Sequence, residues 1–183
     1  TMAAKMYYDD DADLNLLEGK TIAIIGYGIQ GGAQAKCLRD SGLDVVVSEL
    51  EGTDNYERAV DEGWEPISAE EAAAQAQVIQ ILTQDHVQAM VYRAAIEPNL
   101  EEGDALVFSH GFNIHYDQIV PPANVDVFMI APKGPGALVR ECYVADTGVP
   151  SLLAVYQDYT GNAKDLALAY AKGLKATKAG VIE

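Results

Sequence analysis

Short apolar runs alternate along the chain with longer segments of helical periodicity. The apolar runs predict strands, which cover residues 21–25, 43–48, 77–82, 104–108, 125–131 and 149–157. The segments between them predict helices, which cover the stretch after Gly26 to about Arg39, residues 54–62, a short Ala-rich segment that Ser68 opens, residues 85–96 and residues 162–174. Because strands that alternate with helices form parallel sheets, the pattern predicts an α/β fold. We expect a doubly wound, mostly parallel sheet with helices on both faces.

The boundaries of several elements carry local signals. Ser68 with Glu71 fits a capping box at the start of a helix, and Asp85 is expected to cap the next one. The acidic residues 1–13 are predicted to form an N-terminal arm, either loose or a short helix. Residues 14–183 are predicted to form one dinucleotide-binding domain, since no linker or repeat interrupts them.

Charge and composition exclude several classes of partner. The 183 residues carry a formal net charge of −16, which repels nucleic acid and anionic membranes. No apolar run approaches the roughly 18 residues of a membrane span. Cys37 and Cys142 form no metal-type pair, so we expect reduced thiols and a cytoplasmic protein.

A glycine-rich loop directly follows the first predicted strand and opens a helix. It reads Gly26-Tyr27-Gly28-Ile29-Gln30-Gly31, a G-x-G-x-x-G pattern. In this context the three glycines permit a tight turn, close approach of a diphosphate, and close helix–strand packing. The helix N-terminus then presents N–H groups to the phosphates. An ordinary glycine-rich turn is the alternative, but the context favours a Rossmann-type nucleotide loop.

The end of the second strand bears on cofactor choice. Glu49 stands 23 positions after Gly26, where an acid accepts hydrogen bonds from the adenosine ribose. A carboxylate there repels a 2′-phosphate. The following loop adds Glu51 and Asp54, with no lysine or arginine before Arg58. These residues predict NAD rather than NADP, unless the loop is merely a solvated acidic turn.

Two later strand ends carry candidate catalytic residues. His110 follows the strand at 104–108, and Lys133 follows the strand at 125–131. Ligands bind beyond the carboxyl ends of such strands, where a histidine can transfer protons and a lysine can stabilise an oxyanion. From chemistry alone, non-catalytic interpretations are equally good: His110 as a histidine hydrogen-bonded to the backbone of its turn, and Lys133 as a lysine on a surface turn.

Longer motifs resemble one enzyme family. HGFNIHYDQIVPP (110–122), APKGPG (131–136) and GVPSLLAVYQD (148–158), together with the glycine loop, closely resemble the N-terminal domain of ketol-acid reductoisomerase, also called acetohydroxyacid isomeroreductase. The resemblance covers the chain from about residue 7. It implies NAD(P)H- and Mg²⁺-dependent conversion of 2-acetolactate or 2-aceto-2-hydroxybutyrate to a dihydroxy acid of branched-chain amino acid biosynthesis.

The resemblance also implies roles for individual residues. His110 would border the substrate and the nicotinamide, and Lys133 would lie beside the metal-bound water and the substrate oxygens. The full-length enzyme is expected to be a homo-oligomer. With the arguments above, the expected cofactor-binding set is Gly26, Tyr27, Gly28, Ile29, Gln30, Gly31, Glu49, Thr53, Leu82, Gln84 and Gly136.

This chain departs from the family pattern in several places. Ile29 and Gly32 replace a common serine and histidine, and Gln84 replaces a common proline. Leu50 takes the place of an arginine that NADP-using members often carry. Thr53 and Asn55 take the places of two serines of the same loop, which supports the NAD interpretation.

The family's magnesium ligands are expected outside this chain. In the family they lie on the first helix of an all-α domain, which would begin after Glu183. We therefore expect no metal ligand within the chain, and no turnover by the chain alone. Two alternatives remain open: a related hydroxyacid or imine dehydrogenase, and a stand-alone NAD-binding module.

Overall fold

The computed structural model describes residues 4–183, which form one sheet. The strands are β1 (Met6–Tyr7), β2 (Thr21–Ile25), β3 (Asp44–Ser48), β4 (Val78–Ile81), β5 (Ala105–Phe108), β6 (Asp126–Pro132), β7 (Ser151–Gln157) and β8 (Val181–Ile182). Their order in the sheet is β1-β8-β7-β6-β5-β4-β2-β3. The five strands from β2 to β6 run parallel to one another, whereas β7 is antiparallel to β6 and β1 is antiparallel to β8. This confirms the predicted Rossmann-type, mostly parallel sheet.

Helices connect these strands. They are α1 (Ile29–Asp40), α2 (Asp54–Asp61), α3 (Ala69–Gln75), α4 (Asp85–Val91), α5 (Phe112–His115), α6 (Gly136–Val144), α7 (Ala163–Gly173) and α8 (Ala176–Ala179). Short 3₁₀ segments occur at Asp9–Asp11, Leu14–Leu17 and Glu97–Asn99, and a π turn at Tyr92–Ile96. No helix in the described range 4–183 has the length and apolar character that a membrane crossing requires.

Two apolar cores form on opposite sides of the sheet. One side joins α1, α6 and α7 to strand residues such as Ile24 and Phe128. The other joins α3 and the helical segment after α4 to residues such as Ile25 and Ile79. Adjacent residues of β2 point to different cores, so both faces of the strand are buried. Continuous apolar runs, as in β2 and β5, are the expected sequence of such strands.

The strand order reverses at β2, which places the candidate site. The chain passes from β2 to β3 on one side and then returns to β4 on the other side of β2. The connections that follow β2 and β4 therefore run in opposite directions from the carboxyl ends of these two strands. A crevice forms between the two connections at this switch point, and ligands of open α/β sheets bind in such a crevice. The glycine loop lies at this point.

Helix starts agree with the sequence signals in one case and not in another. The Ser68 hydroxyl accepts a hydrogen bond from the Glu71 N–H at 3.1 Å, and the Glu71 carboxylate accepts one from the Ser68 N–H, which confirms the capping box. The predicted cap at Asp85 is wrong. Gln84 occupies the cap position without a side-chain hydrogen bond, and Asp85 is the first helical residue.

The N-terminal segment belongs to the edge of the sheet. Met6 pairs with Ile182, and Tyr7 is buried with its hydroxyl on the carboxylate of Glu183. The ammonium of Lys172 donates to the Asp9 carbonyl at 2.8 Å. A strand of two residues has too little sequence pattern to be predicted, and the first three residues of the expected arm lie outside the described residues.

Candidate functional site

The three glycines of the loop have different local environments. Gly26 has a φ of +100°, and its N–H donates to the Ser48 carbonyl at 2.9 Å. A Cβ at Gly31 would lie 1.9 Å from the Gly26 carbonyl oxygen, so helix α1 packs on the turn without room for a side chain. Gly28 caps α1, and a Cβ there would have no atom within 4 Å. The conformation of the turn requires glycine at position 26, and helix packing requires it at position 31. Neither reason applies to Gly28, which leaves open space in front of the N-terminus of α1.

Glu49 contacts the glycine loop directly. One carboxylate oxygen accepts a hydrogen bond from the Tyr27 N–H at 2.8 Å, and the other accepts one from the Leu50 N–H at 2.9 Å. Each carboxylate oxygen keeps one further lone pair, because a carboxylate has about four acceptor positions. Glu49 thus holds the loop in place. It also lines a large cavity beside the loop, where it can still accept hydrogen bonds from the hydroxyl groups of a ligand.

The Tyr27 side chain points away from that cavity, into the protein. Its hydroxyl donates to the Glu62 carboxylate and accepts a hydrogen bond from the Trp64 ring N–H at 2.8 Å. Burial, followed by the neighbouring Glu62, raises the pKa of Tyr27 well above its ordinary value, so the phenol remains neutral. The guanidinium of Arg58 donates to the Tyr27 carbonyl. The ring therefore anchors the loop, and the N–H and carbonyl of Tyr27 are both engaged within the protein, by Glu49 and Arg58.

Glu62 is the charged anchor of this cluster. Partial burial alone would raise the pKa of Glu62, but hydrogen bonds from Tyr27 and Lys36 outweigh it and hold the pKa below its usual value. The Lys36 ammonium lies 2.9 Å from the carboxylate. The Tyr27 ring is therefore fixed by an ionised partner near neutral pH.

A cavity of about 840 Å³ opens beside the loop, between α3 and α4. Its size is within the range of small-molecule sites. The apolar side chains of Ile67, Val87 and Val91 line part of it and offer surface for a flat base. The predicted cofactor residues along its wall are Gly26, Gly28, Glu49, Leu82 and Gln84, and Leu50 lies there too.

Thr53 is not among the residues that line this cavity. Its hydroxyl accepts a hydrogen bond from the Tyr56 N–H at 3.2 Å and donates one to the Leu50 carbonyl at 2.7 Å. Thr53 is thus the N-cap of α2 and shapes the loop after β3. Asn55 and Tyr56, further along this segment, do line the cavity.

Two further predicted residues lie at the start of α1, and a third, Gly136, lies at the start of α6. Ile29 is 69% exposed. The Gln30 side chain donates to the Gly134 carbonyl at 3.4 Å, which links the glycine loop to the loop that holds Lys133. Gly136 is buried, and a Cβ there would lie 2.2 Å from the Ile29 carbonyl oxygen. In the structure Gly136 therefore lets α6 pack against α1.

His110 lies near Asp85, a neighbour that sequence reasoning did not assign to it. The ring nitrogen Nδ1 is 3.5 Å from an Asp85 carboxylate oxygen and accepts a hydrogen bond from the Phe112 N–H at 3.2 Å. With Nδ1 as acceptor, the neutral ring carries its proton on Nε2. The side chain is 67% exposed, so Nε2 is accessible to a substrate. The Asp85 carboxylate thus places a negative charge beside the ring.

Lys133 follows β6, the strand next to β5, so it and His110 occupy the same edge of the sheet. Its backbone N–H donates to the Pro150 carbonyl at 2.8 Å, which fixes the loop. Lys133 is exposed, and within residues 4–183 its ammonium has no hydrogen-bond or ion-pair partner. The charge is therefore free to meet an anionic ligand.

The described residues hold no cluster of metal-ligating side chains. Among residues 4–183, no three histidine, cysteine, aspartate or glutamate side chains come together to hold an ion. Asp85 and His110 form only a pair. The side chains of this part of the chain do not by themselves fit a magnesium site.

Comparisons with known proteins agree on one family. The model described as "Acetohydroxy acid isomeroreductase, NADPH-binding domain" matches residues 16–180. The chain is 57% identical over 180 residues to a ketol-acid reductoisomerase (NADP(+)) of Leptospira biflexa, covering 98% of this chain and 54% of that protein. The chain therefore spans about half the length of this relative.

Solved structures lead to the same family and fold. An NADH-preferring ketol-acid reductoisomerase from an uncultured archaeon superposes with a TM-score of 0.94 at 46% identity, over 98% of this chain and 56% of that one. A semialdehyde dehydrogenase NAD-binding protein from Cupriavidus necator superposes with a TM-score of 0.73 at 23% identity, over 86% and 60%. The second likeness shows the fold alone.

Proposed function

This chain belongs to the acetohydroxy acid isomeroreductase family, and we propose that it is the cofactor-binding domain of a ketol-acid reductoisomerase that prefers NADH. The glycine loop carries the proposal, because its open Gly28 lies at the switch point of the sheet and borders the large cavity. The family membership confirms the resemblance inferred from the sequence motifs. It also argues against the alternative that the chain is part of a related hydroxyacid or imine dehydrogenase.

The residues around the loop fit an extended dinucleotide. The diphosphate would lie over Gly28, where the N–H groups of the first turn of α1 and the helix dipole favour an anion. The adenosine ribose would reach the free lone pairs of Glu49. The adenine would occupy the apolar part of the cavity, beside Val87 and Val91. The nicotinamide would then extend towards His110 and Lys133.

The local charges support NADH over NADPH. Glu49 and Glu51 both line the cavity near the expected 2′ position of the ribose. The nearest cation in sequence, Arg58, donates to the Tyr27 carbonyl and lies 5.6 Å from the centre of its ring. A 2′-phosphate would thus meet two carboxylates and an arginine that is already engaged.

Replacing Leu50 by arginine is expected to improve NADPH binding about fivefold and to change NADH binding less than twofold. Leu50 is 74% exposed and lines the cavity, so a guanidinium there can meet the phosphate without disturbing the core. Fluorescence titration of both reduced cofactors measures the change, and Leu50→Gln is the uncharged control. Tighter binding of NADPH than NADH by the unsubstituted protein would overturn the proposed preference.

The chemical step would use the edge of the sheet that His110 and Lys133 share. The bound nicotinamide supplies a hydride to the substrate. Lys133 can offset negative charge on substrate oxygens, and Nε2 of His110 can exchange a proton or orient the substrate. We propose 2-acetolactate and 2-aceto-2-hydroxybutyrate as substrates of the full-length enzyme, in the cytoplasm and in a homo-oligomer. The side chains of residues 4–183 do not by themselves fit a magnesium ion, so His110 and Lys133 are the groups that this part of the chain can contribute.

Residues 1–183 alone are expected to bind NADH but not to oxidise it with 2-acetolactate and Mg²⁺. The reason is that residues 4–183 hold no cluster of metal ligands. The loss of absorbance at 340 nm measures oxidation, and quenching of protein fluorescence confirms that the cofactor is bound. Magnesium-dependent turnover by this chain would contradict the expectation.

A further inference from the structure

A buried polar network crosses the apolar core between α1, β4 and α7. Gln34, Gln80 and Tyr170 are each 0% exposed. The Tyr170 hydroxyl donates to the side-chain oxygen of Gln34 at 2.6 Å, and the Gln80 amide lies 3.3 Å from that hydroxyl. Three polar side chains therefore meet beneath the sheet edge that carries the candidate site.

The network continues to the three loops of the site. The Gln34 amide donates to the Gln30 side chain at 3.1 Å and to the Ser109 hydroxyl at 3.2 Å. The Gln80 amide also donates to Ser109 at 3.2 Å. Ser109 directly precedes His110, and Gln30 donates to the carbonyl of Gly134, next to Lys133. The glycine loop and both candidate catalytic loops are thus tied to one buried cluster.

Stability alone gives little reason for these polar groups. Apolar side chains of similar volume would fill the space without the cost of burying amides. Moreover, the side-chain oxygen of Gln80 has no hydrogen-bond partner among the described residues. Burial raises the pKa of the Tyr170 hydroxyl, which therefore stays protonated as a fixed donor. Retained polar groups of this kind specify the geometry of what they contact.

We propose that Gln34, Gln80, Ser109 and Tyr170 are positioning residues, which hold the loops of His110 and Lys133 against the glycine loop so that the nicotinamide half of the cofactor is fixed for hydride transfer. The inference rests on the proposed function. The network touches no part of the adenosine cavity, since none of the four residues lines it. Its loss should therefore affect the nicotinamide half and spare the ADP-ribose half.

Tyr170→Phe tests the proposal by removing one hydroxyl. We expect the Kd for NADH to rise about fivefold while the Kd for ADP-ribose changes less than twofold, because one positioning hydrogen bond is lost. Tyr143→Phe is the matched control. It also removes a buried hydroxyl that is hydrogen-bonded, to Ser41 at 2.8 Å, but it is not part of the network. This control should leave both Kd values unchanged.

Activity of the natural full-length protein gives a second readout. We expect Tyr170→Phe and Ser109→Ala each to lower kcat about tenfold with a smaller change in KM for 2-acetolactate, because misplaced reacting groups slow the chemical step. Ser109→Ala covers the case in which the Tyr170 variant fails to fold. Equal weakening of NADH and ADP-ribose, or an unchanged kcat in folded variants, would overturn the proposal.

The result separates this inference from the proposed function. If the full-length protein binds NADH but shows no reductoisomerase activity, the proposed function fails, and the ratio of the two Kd values still decides on the network. If the unsubstituted enzyme is active and Tyr170→Phe leaves both the Kd ratio and kcat unchanged, only the network inference fails.

Discussion

Replacing Gly31 by alanine is expected to lower the free energy of unfolding by about 3 kcal/mol or more and to abolish NADH binding. A Cβ at this position would lie 1.9 Å from the carbonyl oxygen of Gly26. The oxygen belongs to the main chain, and the backbone fixes the position of a Cβ, so no side-chain rotation can relieve the overlap. Helix α1 would have to move off β2, and the turn that faces the diphosphate would be lost.

Urea unfolding followed by circular dichroism measures this loss. For a domain of this size, 3 kcal/mol corresponds to a fall in Tm of roughly 6–12 °C. Gly28→Ala is the matched control, since it makes the same change three residues earlier in the same loop. Unfolding of Gly31→Ala at the urea concentration of the unsubstituted chain would show that α1 does not pack on the turn as described.

Replacing Gly28 by alanine is expected to weaken NADH binding at least tenfold, yet to change the free energy of unfolding by no more than about 1 kcal/mol. The fold tolerates the methyl group, because no atom lies within 4 Å of a Cβ at this position. The diphosphate does not, because it must approach the main-chain N–H groups at this point.

Fluorescence titration with NADH, together with the same urea experiment, separates binding from stability. ADP-ribose carries the same diphosphate and should lose affinity in parallel, which distinguishes this variant from Tyr170→Phe. A Gly28→Ala protein with the affinity of the unsubstituted chain would place the diphosphate away from this loop.

The parts of the fold that the sequence predicted are those with strong local patterns. The buried strands β2 and β4 have continuous apolar runs, and the glycine loop follows β2 directly. Ser68 and Glu71 predicted a helix start because their hydrogen bonds join residues only three apart. By contrast, β1 and β8 have two residues each, and they form because β1 pairs with β8 from the other end of the chain and β8 also pairs with β7.

Parts of the site depend on contacts between distant elements. Glu49 was predicted as a ribose ligand from its spacing, but its hydrogen bond to the Tyr27 N–H follows from the pairing of β3 with β2. Asp85 is at a helix start in sequence, and only the fold brings it near His110. Gln34 and Gln80 are ordinary polar residues in sequence, and their burial arises where α1 packs on the sheet.

The most direct test of the account is a crystal structure of this chain with bound NADH. We predict the diphosphate within hydrogen-bonding distance of the N–H groups at the start of α1, beside Gly28, and the adenosine ribose hydroxyls on the carboxylate of Glu49. Density for the cofactor elsewhere on the protein, with the glycine loop empty, would contradict the account.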